Sequence, residues 1–173
     1  MTIAGLEREL PIFKLNDNLS IAAFIMFGDA EITVASAREL LKKVPDFDYI
    51  LTPEAKSIPL AHEMSRQSGK KYFVARKGEK VYMGNSFSVE VKSITTKKVQ
   101  KLYLGELDVE EMKGKNVLIV DDVISTGESL IAVKKLAEEA GANIVASCAV
   151  LAEGDAAKRE DIIFLEPLPL ITK

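Results

Sequence analysis

Cysteine and histidine each occur once in this 173-residue chain, at Cys148 and His62. A lone cysteine excludes an internal disulfide, and its place in the apolar run 144–151 makes it a small core residue. His62 falls in a helical pattern and reads as a packing or surface residue, not a catalyst. Long hydrophobic runs are also missing. The longest, residues 21–27, is far short of the roughly 18 residues a membrane span needs, and no basic-then-apolar signal opens the chain. The expectation is a cytoplasmic protein with no membrane partner. A formal net charge of -3 offers no global pull toward nucleic acid, so any anion site must be local. No internal repeat, low-complexity tract or linker-like shift divides residues 1–173, which predicts one compact domain. With 47% hydrophobic and 28% charged residues, the chain can bury a substantial core.

Residues 117–129 organise what is present. Val117, Leu118, Ile119 and Val120 form an unbroken β-favouring run, the pattern of a strand buried on both faces in a parallel sheet. Asp121 and Asp122 follow at the expected C-terminal end of that strand. Open α/β sheets bind ligands beyond that end, where carboxylates can accept hydrogen bonds from a hydroxylated molecule. Ser125, Thr126, Gly127, Glu128 and Ser129 then lead into a helical pattern, whose free N–H groups and positive dipole end suit a phosphate. An ordinary helix cap needs one Ser or Thr, so this density favours phosphate binding. Carboxylates for a sugar beside a cradle for a phosphate imply a sugar phosphate.

Along the rest of the chain, residues 12–27 read as two extended pieces around a polar turn, outside the main sheet. A surface-packed helix is expected over 31–44, with Pro45 beyond its end. Strands are expected at 49–52 and 72–75, with a helix between them that ends near Ser68 and is capped by Gly69. The turn carrying Glu54, Ala55, Lys56 and Ser57, and the pair Arg76 and Lys77, then fall at C-terminal strand ends on the edge that carries the two acids. Residues 78–105 switch to alternation, with Phe87, Val89 and Val91 on one face and Ser88, Glu90 and Lys92 on the other. A two-stranded excursion is expected there, interrupted by a solvated turn at Thr95, Thr96, Lys97 and Lys98; an excursion of this length suits a functional flap. Beyond residue 129 a helix runs to about Ala140, and a strand over 144–151 completes a βαβ unit with a right-handed crossover. The tail begins as a short strand and is broken by Pro167 and Pro169, which suit an edge or a cover.

Strand, paired acids, two spacers and Ser125-Thr126-Gly127 together resemble the 5-phosphoribosyl-1-pyrophosphate (PRPP) motif of the type I phosphoribosyltransferases. Residues 53–60 resemble that family's pyrophosphate loop, Arg76 and Lys77 its basic pair, and residues 78–104 its mobile flap. Within the family the chain is similar to the purine branch, most like the adenine phosphoribosyltransferase group, through Phe87-Ser88-Val89-Glu90. It departs from that group at Lys56, where an arginine is usual, in a longer flap after Glu90, and in the N-terminal stretch that would meet the base.

The resemblance implies an α/β fold: an open, mostly parallel sheet flanked by helices, a small hood from about 1–30 and 153–173, and a flexible two-stranded flap. It implies an enzyme that moves the phosphoribosyl group of PRPP to a purine base with release of pyrophosphate, adenine first and xanthine or hypoxanthine second. In that scheme residues 125–129 hold the 5'-phosphate. Asp121 and Asp122 serve the ribose and its developing positive charge, and Glu54, Ala55, Lys56, Ser57, Arg76 and Lys77 serve the pyrophosphate. Glu90 is the candidate acid/base, while Phe24, Phe27 and Glu153 are candidate base contacts. Mg2+ is the implied cofactor, held mainly by substrate oxygens and water, and a homodimer is the implied assembly. Plain readings compete: Lys56, Arg76 and Lys77 as ordinary surface cations, Phe24 and Phe27 as core, Glu90 as the polar half of an alternating strand. Two other classes compete as well. A PRPP-sensing regulatory protein would resemble the purine repressor's effector domain, although no helix-turn-helix pattern precedes the first sheet strand. A phosphoacceptor receiver-like domain would carry its acids earlier and lack the Ser-Thr-Gly cradle.

Overall fold

The computed structural model describes residues 1–92 and 98–172. In chain order the strands and helices are β1 (Thr2–Ile3), β2 (Leu6–Glu7), β3 (Ile12–Lys14), β4 (Leu19–Ala22), α1 (Ala30–Leu41), β5 (Tyr49–Pro53), α2 (Ile58–Ser68), β6 (Tyr72–Ala75), β7 (Phe87–Lys92), β8 (Val99–Leu104), α3 (Glu106–Met112), β9 (Asn116–Ile124), α4 (Glu128–Glu139), β10 (Asn143–Glu153), β11 (Ile163–Leu168) and β12 (Ile171–Thr172). Five of them, in the order β11-β10-β9-β5-β6, make a fully parallel sheet. Helices flank this α/β sheet and small antiparallel sheets lie beside it, the architecture the resemblance implied.

Burial on both faces explains the unbroken apolar run in β9. Val117 and Ile119 join a cluster with Leu130, Val133 and Leu136 of α4, while Leu118 and Val120 join another with Leu40 of α1 and Leu60 and Met64 of α2. Period-two geometry sends alternate side chains to opposite faces, and both faces are covered here. Cys148 is 1% exposed within the second cluster, where burial pushes its thiol up, as suits an inert core residue. Gly69 ends α2 in the left-handed region at φ 73°, as a glycine after a helix does.

Several boundaries differ from the sequence expectation. β9 runs on through both acids to Ile124, because β10 pairs with it as far as Ala152↔Ile124. α1 stops at Leu41, before the expected Val44. Pro167 does not break the tail strand: β11 pairs only with β10, so its other edge is free and the missing N–H disrupts no ladder. The excursion is tied to the core. Val89, Leu102 and Leu104 pack in the α4 cluster, and Arg76 and Tyr103 exchange backbone hydrogen bonds of 2.9 and 2.8 Å that join β8 to the end of β6. Of the turn expected between β7 and β8, Thr95, Thr96 and Lys97 lie outside the described residues. β12 pairs with β4 and β4 with β3, bringing the two chain ends into one small sheet.

Candidate active site

β5 pairs with β9 only as far as Leu51↔Ile119, whereas β9 keeps company with β10 to Ile124. From β5 the chain steps outward to β6; after the excursion it returns to β9 on the other side of β5 and proceeds to β10 and β11. That reversal is the switch point of the sheet, where the turns after two neighbouring strands lead away from each other and leave a crevice. Buried Thr52 secures the split: its Oγ1 donates to the Val120 carbonyl at 2.8 Å and accepts from Ser57 Oγ at 2.7 Å.

The loop after β9 forms one wall. Gly127 caps α4 at φ 83°, ψ 4°, a conformation L side chains rarely adopt, and no side chain caps the helix. Thr126 Oγ1 lies 3.4 Å from the Glu128 N–H, at the edge of hydrogen-bond range, and Ser125, Thr126 and Ser129 are exposed. A cavity of about 170 Å3 is lined by residues 123–130 together with Asp121 and Gln100. Its wall combines helix N–H donors with hydroxyls, an arrangement that accepts an anion.

Both acids are buried, Asp121 at 9% and Asp122 at 3% exposure. They are not the solvated strand end that the sequence allowed. Asp121 Oδ1 accepts the Asp122 N–H at 2.8 Å. Burial first, and then the neighbouring Asp122 carboxyl, push the Asp121 carboxyl above the usual carboxylate range. Lys56 Nζ stands 3.1 Å from Asp122 Oδ2, an ionic contact without hydrogen-bond alignment, so this buried oxygen accepts no hydrogen bond among the described residues. A buried acceptor beside a crevice is available to a ligand hydroxyl or a hard cation.

The turn after β5 is tied to the end of β6. Glu54 accepts from Arg76 Nε at 3.0 Å and from the Lys77 N–H at 2.9 Å, and these contacts, the amide foremost, hold its carboxyl below the usual range. Three strand ends therefore converge: residues 54–57, residues 76–77 and the acids of β9. The Glu54–Ala55 peptide is cis. Arg76 is not a free cation, since Glu54 neutralises it and Tyr82 Oη contacts its Nη1. Lys77 is exposed, and the Ser57 hydroxyl is turned inward onto Thr52.

Two groups of expected site residues lie apart from the loop cavity. Glu90 lies on the outer face of the β7/β8 pair, opposite Lys101 at 3.6 Å; Gln100, on the inner face, lines the loop cavity instead. Strand alternation put a polar residue at both positions and could not say which faced the site. Phe24 and Phe27, both candidate base contacts, sit differently. Phe24 is 5% exposed in the core beside α1 and α2, whereas Phe27 is 53% exposed. Glu153 ends β10, half-buried. Sequence reasoning also passed over Gln100, Thr52 and Arg159, whose Nη1 lies 2.8 Å from where a Cβ on Gly127 would stand. Helix α3 was missed too, although Gly105 followed by Glu106 and Asp108 is an acidic first turn that could have signalled it.

A model of the phosphoribosyl transferase domain matches residues 28–168. Over 110 residues the chain is 41% identical to the hypoxanthine/guanine phosphoribosyltransferase of Methanococcus voltae, covering 64% of this chain and 55% of that protein. It therefore spans little more than half of that relative's length. Over 156 residues it is 33% identical to the enzyme of the same name from Methanothrix thermoacetophila, covering 87% and 78%. Among solved structures, adenine phosphoribosyltransferase from Saccharomyces cerevisiae superposes with a TM-score of 0.71 at 20% identity over 91% of this chain and 93% of that one. The protein of that name from Thermoanaerobacter pseudethanolicus gives 0.68 at 24% identity over 81% and 83%.

Proposed function

This chain belongs to the phosphoribosyl transferase domain family, and we propose that it transfers the phosphoribosyl group of PRPP to a 6-oxopurine, hypoxanthine or guanine, releasing pyrophosphate. One observation carries the proposal: at the switch point of the sheet an uncapped hydroxylated helix start and Asp121 line one cavity, and Asp122, the next residue of the strand, meets Lys56 of the neighbouring turn. The N–H groups of residues 125–129, with the hydroxyls of Thr126 and Ser129, take the 5'-phosphate. Ribose hydroxyls hydrogen-bond to Asp121 and Asp122, and the negative charge of the acid pair, carried by Asp122, favours an oxocarbenium-like ring as the C1–oxygen bond to pyrophosphate lengthens. Residues 54–57, with Lys56 and Lys77, face the departing pyrophosphate. The purine nitrogen attacks C1 from the opposite side, so the gain comes from holding three partners in line and not from a covalent nucleophile.

Mg2+ fits this crevice. Asp122 Oδ2, which meets Lys56 but accepts no hydrogen bond among the described residues, is a hard oxygen donor, and this ion takes one or two carboxylates while keeping water and substrate oxygens. Bound there, it would neutralise pyrophosphate oxygens.

The choice of 6-oxopurine over adenine is supported by relatives of that name at 41% and 33% identity, against 24% and 20% for the adenine-named structures. The sequence preference for adenine leaned on the segment at Glu90, which faces away from the loop cavity. Phe27 and Glu153 are retained as base contacts, Phe27 offering an exposed ring face. Residues of the small β3-β4-β12 sheet would form the hood, and the β7/β8 excursion the flap. A homodimer is the proposed assembly, on the family resemblance. The test is a purine panel with PRPP and Mg2+, following pyrophosphate and nucleotide. Turnover of hypoxanthine or guanine, with adenine poor, is expected. Binding of PRPP without turnover of any purine would replace the enzyme with a PRPP sensor.

A further inference from the structure

The loop that takes the phosphate sits in acidic company. Asp122 belongs to the same stretch, the whole chain carries a net charge of -3, and the lysine nearest that acid, Lys56, is engaged with it. Helix N–H groups alone would have to draw a doubly charged phosphate into that field. A cation placed against the loop would change the balance.

Arg159 is so placed. It follows the short turn Gly154–Lys158 between β10 and β11, and that turn is anchored by Ala156, which is 2% exposed in the same cluster as Ile124 and Leu130 at the two ends of the loop. Its guanidinium is oriented by a two-pronged bond to Asp161, from Nε at 2.8 Å and Nη2 at 2.7 Å. The remaining edge, Nη1, has no hydrogen-bond partner among the described residues and is turned to Gly127, 2.8 Å from the point a Cβ there would occupy. Gly127 thus lacks a side chain for two independent reasons, its φ of 83° and the space the guanidinium fills. Arg159 does not line the cavity itself; its contact is with Gly127, which does. An exposed Arg–Asp pair two residues apart is commonly of little consequence. This pair differs because Arg159 is only 32% exposed and its third edge meets the cap of the phosphate helix.

We propose that Arg159, oriented by Asp161, is a positioning residue for the phosphate end of the donor: it holds Gly127 of the N–H cradle in place and turns toward the loop the one guanidinium edge that Asp161 does not engage, favouring a phosphorylated ribose. This rests on the reading of residues 125–129 as the 5'-phosphate site.

The experiment compares direct binding of ribose 5-phosphate and of pyrophosphate to the wild-type chain and to Arg159→Gln, Arg159→Lys and Asp161→Asn. Arg159→Gln is expected to weaken ribose 5-phosphate about tenfold, with pyrophosphate within about twofold, because only the first ligand meets the loop. In turnover the PRPP KM rises by a similar factor while kcat stays within about twofold. Arg159→Lys, which keeps the charge, recovers most of the lost affinity; a purely structural contact would not be rescued this way. Asp161→Asn, which keeps Arg159 but frees it, weakens ribose 5-phosphate alone, and it decides the matter if Arg159→Gln does not fold. Unchanged ribose 5-phosphate affinity, or equal loss of both ligands, overturns the proposal, as does a wild-type chain that does not bind ribose 5-phosphate. A wild-type chain that binds it but turns over no purine removes the proposed reaction and leaves the role of Arg159 to be judged by binding.

Discussion

Asp121→Asn isolates the electrostatic cost of the site. In the folded chain burial, and then Asp122, raise the Asp121 carboxyl above its ordinary value, so the native state keeps a proton that the unfolded chain has released. The sign follows directly: the native state binds more protons than the unfolded one, so stability falls as pH rises from about 4, the unfolded value, toward the raised native one. One proton sets the slope at no more than about 1.4 kcal/mol per pH unit, a ceiling of about 2.7 kcal/mol between pH 5 and pH 7. At this chain length that ceiling corresponds to about 5 to 10 °C in Tm. Asparagine keeps the shape and can still accept the Asp122 N–H through Oδ1, but it has nothing to titrate. Carboxyls shifted the other way, Glu54 and Asp161 among them, are present in both proteins and cancel in the difference. Urea unfolding, with the protein held free of ligand, should be followed by circular dichroism, since the chain has no tryptophan. The stability of Asp121→Asn relative to wild type should rise steadily between pH 5 and pH 7. Parallel profiles would mean that Asp121 is ionised in the folded protein at neutral pH, and the account of its burial would be wrong.

Asp122→Asn, with the buried acceptor beside Lys56 made neutral, should lower kcat with every accepted purine by about a hundredfold, the scale of losing one charge-stabilising group; a steady-state assay showing wild-type rates would remove the acid from the mechanism. Phe24→Ala should cost about 3 to 5 kcal/mol of stability by leaving a core cavity, whereas Phe27→Ala should leave Tm nearly unchanged and raise the purine KM; calorimetry and kinetics separate the two. Gly69→Ala, at φ 73° with nothing within 4 Å of the added Cβ, should cost about 1 kcal/mol and leave PRPP affinity intact. Gly127→Ala should weaken PRPP as well, because its Cβ meets Arg159; equal PRPP affinities for the two alanine variants would contradict that distinction.

The sheet was legible from composition alone because its strands are short apolar runs between turn residues, and burial on both faces leaves no other use for such runs. Residues 125–129 were legible for a related reason: hydroxyls and a glycine at a strand-to-helix junction satisfy local backbone geometry, which is written in consecutive residues. The length of β9 was not, since Asp121 and Asp122 look like a strand end until β10 is seen to pair past them. Glu90 and Gln100 could not be told apart, because alternation fixes which residues share a face but not which face the protein turns toward its ligand. Arg159 gave no signal. It stands 32 positions from Gly127 in the sequence and meets it only because the turn after β10 folds back onto α4.

By itself the chain determined a parallel α/β sheet and a hydroxyl-rich, glycine-bearing helix start, since both depend on local periodicity and on helix-end chemistry. Tertiary structure decided where the crevice opens, by ending the β5–β9 pairing at Ile119. It decided which acid faces Lys56, and that Asp121 is buried, which raises its carboxyl above the usual range. Those are consequences of strands distant in sequence meeting at one sheet edge, where burial and opposing charge arise only after the chain has closed on itself.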